Sequence, residues 1–254
     1  MNQPLLQIEH LTVRFDAFTA IDDLSLTVPA RSVRVLIGPN GAGKSTLLDA
    51  IIGRVRPAAG RIVFKGRDLT HLPEHRIVRA GICRKFQAPG LLDSLTVHDN
   101  LVVAEARSRR WPALLRTQPT AAQAGRIDGI LATVGLTAER HRPAGRLAHG
   151  QKQWLEIGMV VASGAELLLL DEPAAGMSLG EREQTADLLQ RLADRHSLLV
   201  IDHDMAFVER LGAPVSVLHA GRLLKEGSLQ DVRQDPQVRA VYLGRVDECE
   251  YDYA

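Results

Sequence analysis

Residues 38 to 45 read Gly-Pro-Asn-Gly-Ala-Gly-Lys-Ser, which fits the pattern G-x-x-x-x-G-K-[ST] at every fixed position. No other stretch limits the possible folds of this chain so tightly. Glycines let a backbone curl until successive N–H groups point inward, a shape that suits phosphate oxygens. Lys44 adds a positive charge for the outer phosphates of a nucleotide, and Ser45 offers a hydroxyl to Mg²⁺. An apolar run, Val33 to Ile37, leads into the loop. Lys44 to Ile52 has the composition of a helix that Gly53 closes, and such a helix turns its positive end toward the anion. The unit is strand, phosphate loop and helix.

A second carboxylate-bearing strand complements it. Leu167-Leu168-Leu169-Leu170 reads as a fully buried strand that ends at Asp171 and Glu172. The C-terminal ends of strands are where α/β sheets bind ligands. Asp171 is suited to hold Mg²⁺. Glu172, one residue on, faces elsewhere and is suited to polarise an attacking water.

The rest of the chain supplies an α/β frame. Leu5 to Phe15, Ser25 to Val28, Ser32 to Ile37, Arg61 to Phe64, Ile82 to Phe86 and Ser197 to Ile201 read as strands. Val215 to Leu218 and Arg222 to Lys225 flank Ala220-Gly221 as a hairpin. Val97 to Arg107, Arg126 to Val134, Gln151 to Val161 and Glu181 to Ala193 read as helices. Strands alternating with helices predict a largely parallel sheet. The region from about Val97 to Arg146 has no strand pattern and reads as a helical lobe inserted into that core.

Composition narrows the class. Net charge is +1, from 31 basic and 30 acidic residues, which argues against a surface built for nucleic acid. Cys83 and Cys249 have no metal-type spacing and read as thiols in a reducing cytosol. No stretch approaches the ~20 apolar residues that span a bilayer, and the start, Met1 to Glu9, lacks the pattern of a signal peptide. Membrane association is therefore expected through a partner. Arg107, Arg109, Arg110 and Arg116 around Trp111 read as a solvated face in preference to a docking surface. The acidic tail, Asp247 to Tyr253, is expected to be disordered.

Further motifs occur in a fixed order along the chain, and together they resemble the ABC ATPase family over nearly the whole length. Leu147-Ala148-His149-Gly150-Gln151 is similar to the family's signature loop and sits just before the strand that ends at Asp171. Gln87, in Arg84-Lys85-Phe86-Gln87, resembles the glutamine that senses Mg²⁺ and the transmembrane partner. His203, in Val200-Ile201-Asp202-His203-Asp204, resembles the switch histidine that contacts the γ-phosphate. Ala175-Gly176-Met177-Ser178 occupies the position of the D-loop. Phe15 stands where the family sets an aromatic ring against adenine, with Phe18 as a competitor and a core role as the alternative.

The resemblance implies a P-loop NTPase core with a parallel sheet, an antiparallel β subdomain and an inserted helical subdomain. The implied division is 1–95 and 165–245 for the nucleotide-binding core, 96–164 for the helical signature lobe and 246–254 for the tail. ATP and Mg²⁺ are the implied cofactors. The nucleotide-binding set is Phe15, Gly38, Pro39, Asn40, Gly41, Ala42, Gly43, Lys44, Ser45, Thr46, Ala148, His149, Gly150 and Gln151. Ser45, Gln87 and Asp171 are the implied metal set; Glu172, His203, Gln87 and Lys44 carry the catalysis. ATP would lie between two subunits, the Gly38-to-Ser45 loop of one facing Ala148 to Gln151 of the other. Implied partners are a second ATPase subunit, identical or different, membrane permease subunits, and indirectly a periplasmic or extracellular substrate-binding protein. The implied location is the cytoplasmic face of the inner membrane.

A finer resemblance points to the importer group for branched-chain amino acids and urea. His149-Gly150-Gln151-Lys152-Gln153-Trp154-Leu155-Glu156-Ile157-Gly158-Met159 is similar to the urea-uptake ATPase subunit, and Pro173 to Met177 and Tyr242-Leu243-Gly244 fit the same group. Urea or short amides are thus the expected cargo, with branched-chain amino acids as the alternative. A soluble ABC ATPase of repair or translation is disfavoured, because the chain holds one cassette and no heptads. Two positions depart from the family: Ala148 replaces the signature serine, and Ser178 ends the D-loop instead of aspartate.

Overall fold

The computed structural model describes residues 4–84, 90–107 and 120–243. Gln87, the arginines beyond Arg107 with Trp111, Gly244 and the acidic tail lie outside them. The chain opens with β1 (Leu6–Phe15), β2 (Phe18–Val28), β3 (Val33–Ile37), α1 (Lys44–Ile51), β4 (Ala59–Phe64) and β5 (Arg67–Asp68). It continues with α2 (Glu74–Ala80), β6 (Ile82–Arg84), α3 (Val97–Arg107), α4 (Ala121–Thr133), α5 (His149–Ala162) and β7 (Leu167–Asp171). It closes with α6 (Leu179–Ala193), β8 (Ser197–Ile201), α7 (Met205–Leu211), β9 (Val215–His219), β10 (Arg222–Gly227), α8 (Leu229–Gln234) and α9 (Pro236–Leu243).

Two sheets result. The first is antiparallel, in the order β2-β1-β4-β5. The second runs β10-β9-β3-β8-β7-β6, parallel except for the β9–β10 hairpin at its edge. Helices α3, α4 and α5 follow one another between β6 and β7 with no strand among the described residues there, in keeping with the expected helical lobe.

The leucine run of β7 is unbroken because both of its faces are covered. Leu168 and Leu170 join the core shared with α5, α6 and the helical lobe. Leu167 and Leu169 join a second core with α1 and the antiparallel sheet. Each fully buried leucine is worth about 1.5–3 kcal/mol of transfer free energy, so this central strand anchors both cores at once.

Several elements depart from the sequence reading. The strand expected over Ser25 to Val28 begins at Phe18, because Ala20, Ile21, Leu24, Leu26 and Val28 all point inward. The charged Asp22 and Asp23 obscure the alternation, and Asp23 takes a left-handed φ of 53° where β1 and β2 shift register. The helix expected from Arg126 starts at Ala121, capped by Thr120 with Gln123 reaching back to its N–H. The helix expected from Glu181 starts at Leu179 under Ser178, with Glu181 in the same reciprocal role. Both starts carry the S/T-x-x-E/Q signature in the sequence. The strand expected over Ile82 to Phe86 is described only to Arg84. Helices α2, α7, α8 and α9, of 7, 7, 6 and 8 residues, are too short for helical periodicity to rise above noise.

Leu199 lies at the centre of β8, fully buried and opposite Leu169 of β7. Leu199→Ala is expected to cost about 2–5 kcal/mol of stability. Urea denaturation of the two proteins measures it.

Candidate functional site

The site forms where three adjacent strands end. Leu36 of β3 and Asp171 of β7 are both in register with Ile201 of β8. The loops that leave these strands therefore start side by side: 38–43 from β3, Glu172 onward from β7, and Asp202-His203 from β8.

The first loop is held by close backbone contacts. Gly43 has φ 101°, and a Cβ there would lie 2.6 Å from the carbonyl oxygen of Ala20. A side chain at 43 would thus push the loop off β2. Gly221 of the β9–β10 turn donates to the Ala42 carbonyl at 3.0 Å and clamps the loop from the other side. No side chain caps α1 at Gly43. The first-turn N–H groups of a helix have no intrahelical acceptor, and phosphate oxygens are suited to that role.

Lys44 turns back over the loop. Its Nζ donates to the carbonyls of Gly38 at 2.6 Å and Pro39 at 3.0 Å. Partial burial pushes its pKa below the ordinary lysine value, while Asp171 and Glu172 act in the opposite sense. A cation held by the loop's own carbonyls thus faces two carboxylates.

Asp171 is half-buried and gives Oδ2 to Arg84 Nη2 at 2.8 Å. Glu172 has a left-handed φ of 46°, uncommon for a residue with a side chain. That backbone turn sends its carboxylate away from Asp171. Its N–H donates to the Ile201 carbonyl at 2.9 Å, and its Oε1 lies 3.2 Å from His203 Nδ1. Among the described residues no group of three or more His, Cys, Asp or Glu side chains forms a ready-made metal cage. Ser45 with Asp171 fits Mg²⁺ better, because that ion keeps waters and shares phosphate oxygens with its nucleotide.

His203 is oriented from below. Asp202 accepts from the N–H groups of His203 at 2.8 Å and Asp204 at 3.0 Å, both at Oδ1. Its Oδ2 is buried with no hydrogen-bond partner among the described residues.

Ala148, His149, Gly150 and Gln151 open α5, away from the 38–46 loop. Their contacts run to the segment after Glu172: His149 Nε2 lies 3.1 Å from the Ala175 carbonyl, and a Cβ on Gly150 would meet Glu181. Gln151 accepts from the Ala148 N–H at 3.1 Å, which steadies the helix start. Phe15 and Phe18 pair across the β1–β2 hairpin tip, 47% and 63% exposed, so the core alternative for Phe15 fails. Gln87 is outside the described residues. Sequence reading missed Asp49, Arg84 and Asp202 as parts of the site. Arg84 closes an apolar strand, which is a faint signal; its carboxylate partners are far off in sequence.

A family model described as ABC transporter matches residues 21–175. The chain belongs to the ABC transporter family. The cassette is 35% identical over 253 residues to the high-affinity branched-chain amino acid transport ATP-binding protein LivG of Salmonella typhimurium, covering 96% of this chain and 99% of that one. It is 34% identical over 255 residues to BraF of Pseudomonas aeruginosa, with the same coverage. Among solved structures it resembles an ABC transporter's ATP-binding cassette in its ADP conformation, at 28% identity and a TM-score of 0.85, covering 95% of this chain and 99% of that one. A nucleotide-free cassette is similar at 28% identity and a TM-score of 0.83, over 94% of this chain and 99% of the other. As an ABC ATPase this cassette takes ATP with Mg²⁺, in agreement with the phosphate loop and the Asp171–Glu172 pair. The names of LivG and BraF support the branched-chain amino-acid alternative and not the urea reading.

Burial raises the pKa of Asp202 above the ordinary aspartate value, against its backbone hydrogen bonds. The folded state therefore binds this proton at higher pH than the unfolded chain. The burial penalty is present in full above the raised pKa and fades as pH falls through it. Asp202→Asn keeps an acceptor for His203 and Asp204 and removes the charge. It is expected to be at least as stable as the parent at pH 7, with the difference shrinking on acidification. Thermal melts across pH measure this.

Proposed function

We propose that this chain is the ATPase subunit that powers an importer for branched-chain amino acids. The ATPase half rests on the Glu172–His203 pair, 3.2 Å apart at the strand ends beside the phosphate loop. The substrate half is supported by LivG and BraF, which match over nearly all of both chains. Urea or a short amide is a second reading, favoured by the stretch His149 to Met159.

The residue roles proposed here are supported by the geometry of the strand ends and by the family resemblance. Lys44 and the N–H groups of residues 40–46, Thr46 included, bind the outer phosphates; Pro39 has no N–H to give. Ser45 and Asp171, with Gln87, hold Mg²⁺, which neutralises charge on the phosphate oxygens. Glu172 takes a proton from the attacking water, whose oxygen bonds to the γ-phosphorus as the bond to the bridging oxygen breaks. ADP and phosphate are the products. His203, whose Nδ1 lies 3.2 Å from Glu172 Oε1, steadies that carboxylate by its proximity and contacts the γ-phosphate. The adenine rests on Phe15 or Phe18, both exposed at the hairpin tip. Catalysis here is chiefly positioning and charge stabilisation.

Ala148 to Gln151 face the nucleotide of a second ATPase subunit, identical or different. Ala148 has no hydroxyl to donate, so the N–H groups at the start of α5 and the His149 ring take over that share. Residues 96–164 form the lobe that passes motion to membrane permease subunits, and 1–95 with 165–245 form the nucleotide-binding core. A substrate-binding protein on the far side of the membrane completes the importer. Among the described residues no helix is long and apolar enough to cross a membrane, in keeping with a peripheral subunit on the cytoplasmic face.

Glu172→Gln is expected to bind ATP as the parent does and to hydrolyse it at least ~100-fold more slowly, the scale of a lost general base. Lys44→Ala is expected to lose ATP binding itself. Calorimetric ATP binding and phosphate release check both; a Glu172→Gln variant with the parent rate removes the base assignment. Transport of leucine and of urea by the complete importer separates the two cargo readings.

A further inference from the structure

Arg84 ends β6 and is 7% exposed at its side chain, one of the most enclosed charges among the described residues. Its guanidinium forks. Nη1 donates to Asp49 Oδ1 at 2.7 Å, and Nη2 donates to Asp171 Oδ2 at 2.8 Å. Asp49 lies on α1, the helix that leaves the phosphate loop, and Asp171 ends β7. One buried cation thus ties the phosphate-loop helix to the carboxylate assigned to Mg²⁺. Nothing in the roles given above uses it.

We propose that Arg84 is a positioning residue that aims the Asp171 carboxylate at the metal. The inference rests on the ATPase reading. A carboxylate on a single bond to its chain turns freely unless a partner holds it. The Arg84 fork engages Oδ2 and leaves Oδ1 for a metal or a metal-bound water. Loss of a group that holds a metal's ligand in this way typically costs about 10- to 100-fold in metal affinity or activity. The planar guanidinium suits the task because its two arms reach two carboxylates in one fixed plane, which a lysine ammonium does not reproduce. Charge balance supports the same role. Asp49 and Asp171 would repel across a half-buried gap without the arginine; with it, the cluster keeps one net negative charge, which attracts a divalent cation.

The test uses the full chain in a Glu172→Gln background, so that bound ATP is not consumed. ATP affinity is measured by calorimetry with Mg²⁺ and with EDTA, for the Arg84 parent, Arg84→Gln and Arg84→Lys. Arg84→Gln is expected to lose about tenfold or more of the affinity gained from Mg²⁺, with affinity in EDTA little changed. Arg84→Lys is expected to fall between the two, since an ammonium reaches one carboxylate. With Glu172 intact, the Mg²⁺ concentration for half-maximal hydrolysis is expected to rise in the same order. A melting midpoint near the parent's, together with a parent-like Mg²⁺ dependence, overturns the proposal. So does an equal loss of affinity with and without Mg²⁺, which marks general damage to the nucleotide site. If Arg84→Gln fails to fold, Arg84→Lys decides by the same criteria. A parent that gains no affinity from Mg²⁺ removes the ATPase reading and this inference with it; a parent that gains affinity beside unaffected variants removes this inference alone.

Discussion

β8 hydrogen-bonds to β3 along one edge and to β7 along the other, and the two pairings share a register. Ile201 is level with Leu36 and with Asp171. Since parallel strands all point the same way, three loops emerge at one rim, and Lys44, Ser45, Asp171, Glu172 and His203 sit on them or directly beside them. A slip of one residue in either pairing would turn the leucines of β7 to the wrong cores and carry Asp171 off the rim. The packing that holds the two cores apart is therefore also what holds the phosphate loop, the carboxylates and His203 together.

Backbone conformation then decides which way each group points. Gly43 lies so close to Ala20 that the loop has no room for a side chain there. Glu172 takes a left-handed turn directly after a strand, and its carboxylate separates from that of Asp171 although the two are neighbours in sequence. One carboxylate is left to Arg84, the other to His203. Such a conformation costs of order 1–3 kcal/mol, which the hydrogen bond from the Glu172 N–H to Ile201 and the packing of β7 and β8 offset.

The signature segment is tied to the same rim by a different route. His149 reaches the Ala175 carbonyl, Gly150 packs on Glu181, and Trp154 donates to Thr185, which in turn contacts Met177. The start of α5 and the segment that follows Glu172 are fastened at three points.

The sequence by itself determined the phosphate loop, the paired carboxylates and the order of the motifs, because each is a local pattern whose chemistry depends on adjacent residues. It also determined the parallel core, since the leucine run of β7 and the apolar run of β3 can only be buried on both faces. The capping signatures at Thr120 and Ser178 are local patterns too, and they place these helix starts ahead of where apolar periodicity alone puts them. What only the tertiary structure decided involves partners distant in sequence. Arg84 meets Asp49 and Asp171 across 35 and 87 positions, and His149 meets Ala175 across 26. The exposure of Phe15 likewise follows from the hairpin tip it shares with Phe18. A local pattern records which groups a chain carries; which of them touch depends on the order and register of strands, set by the packing of both cores together.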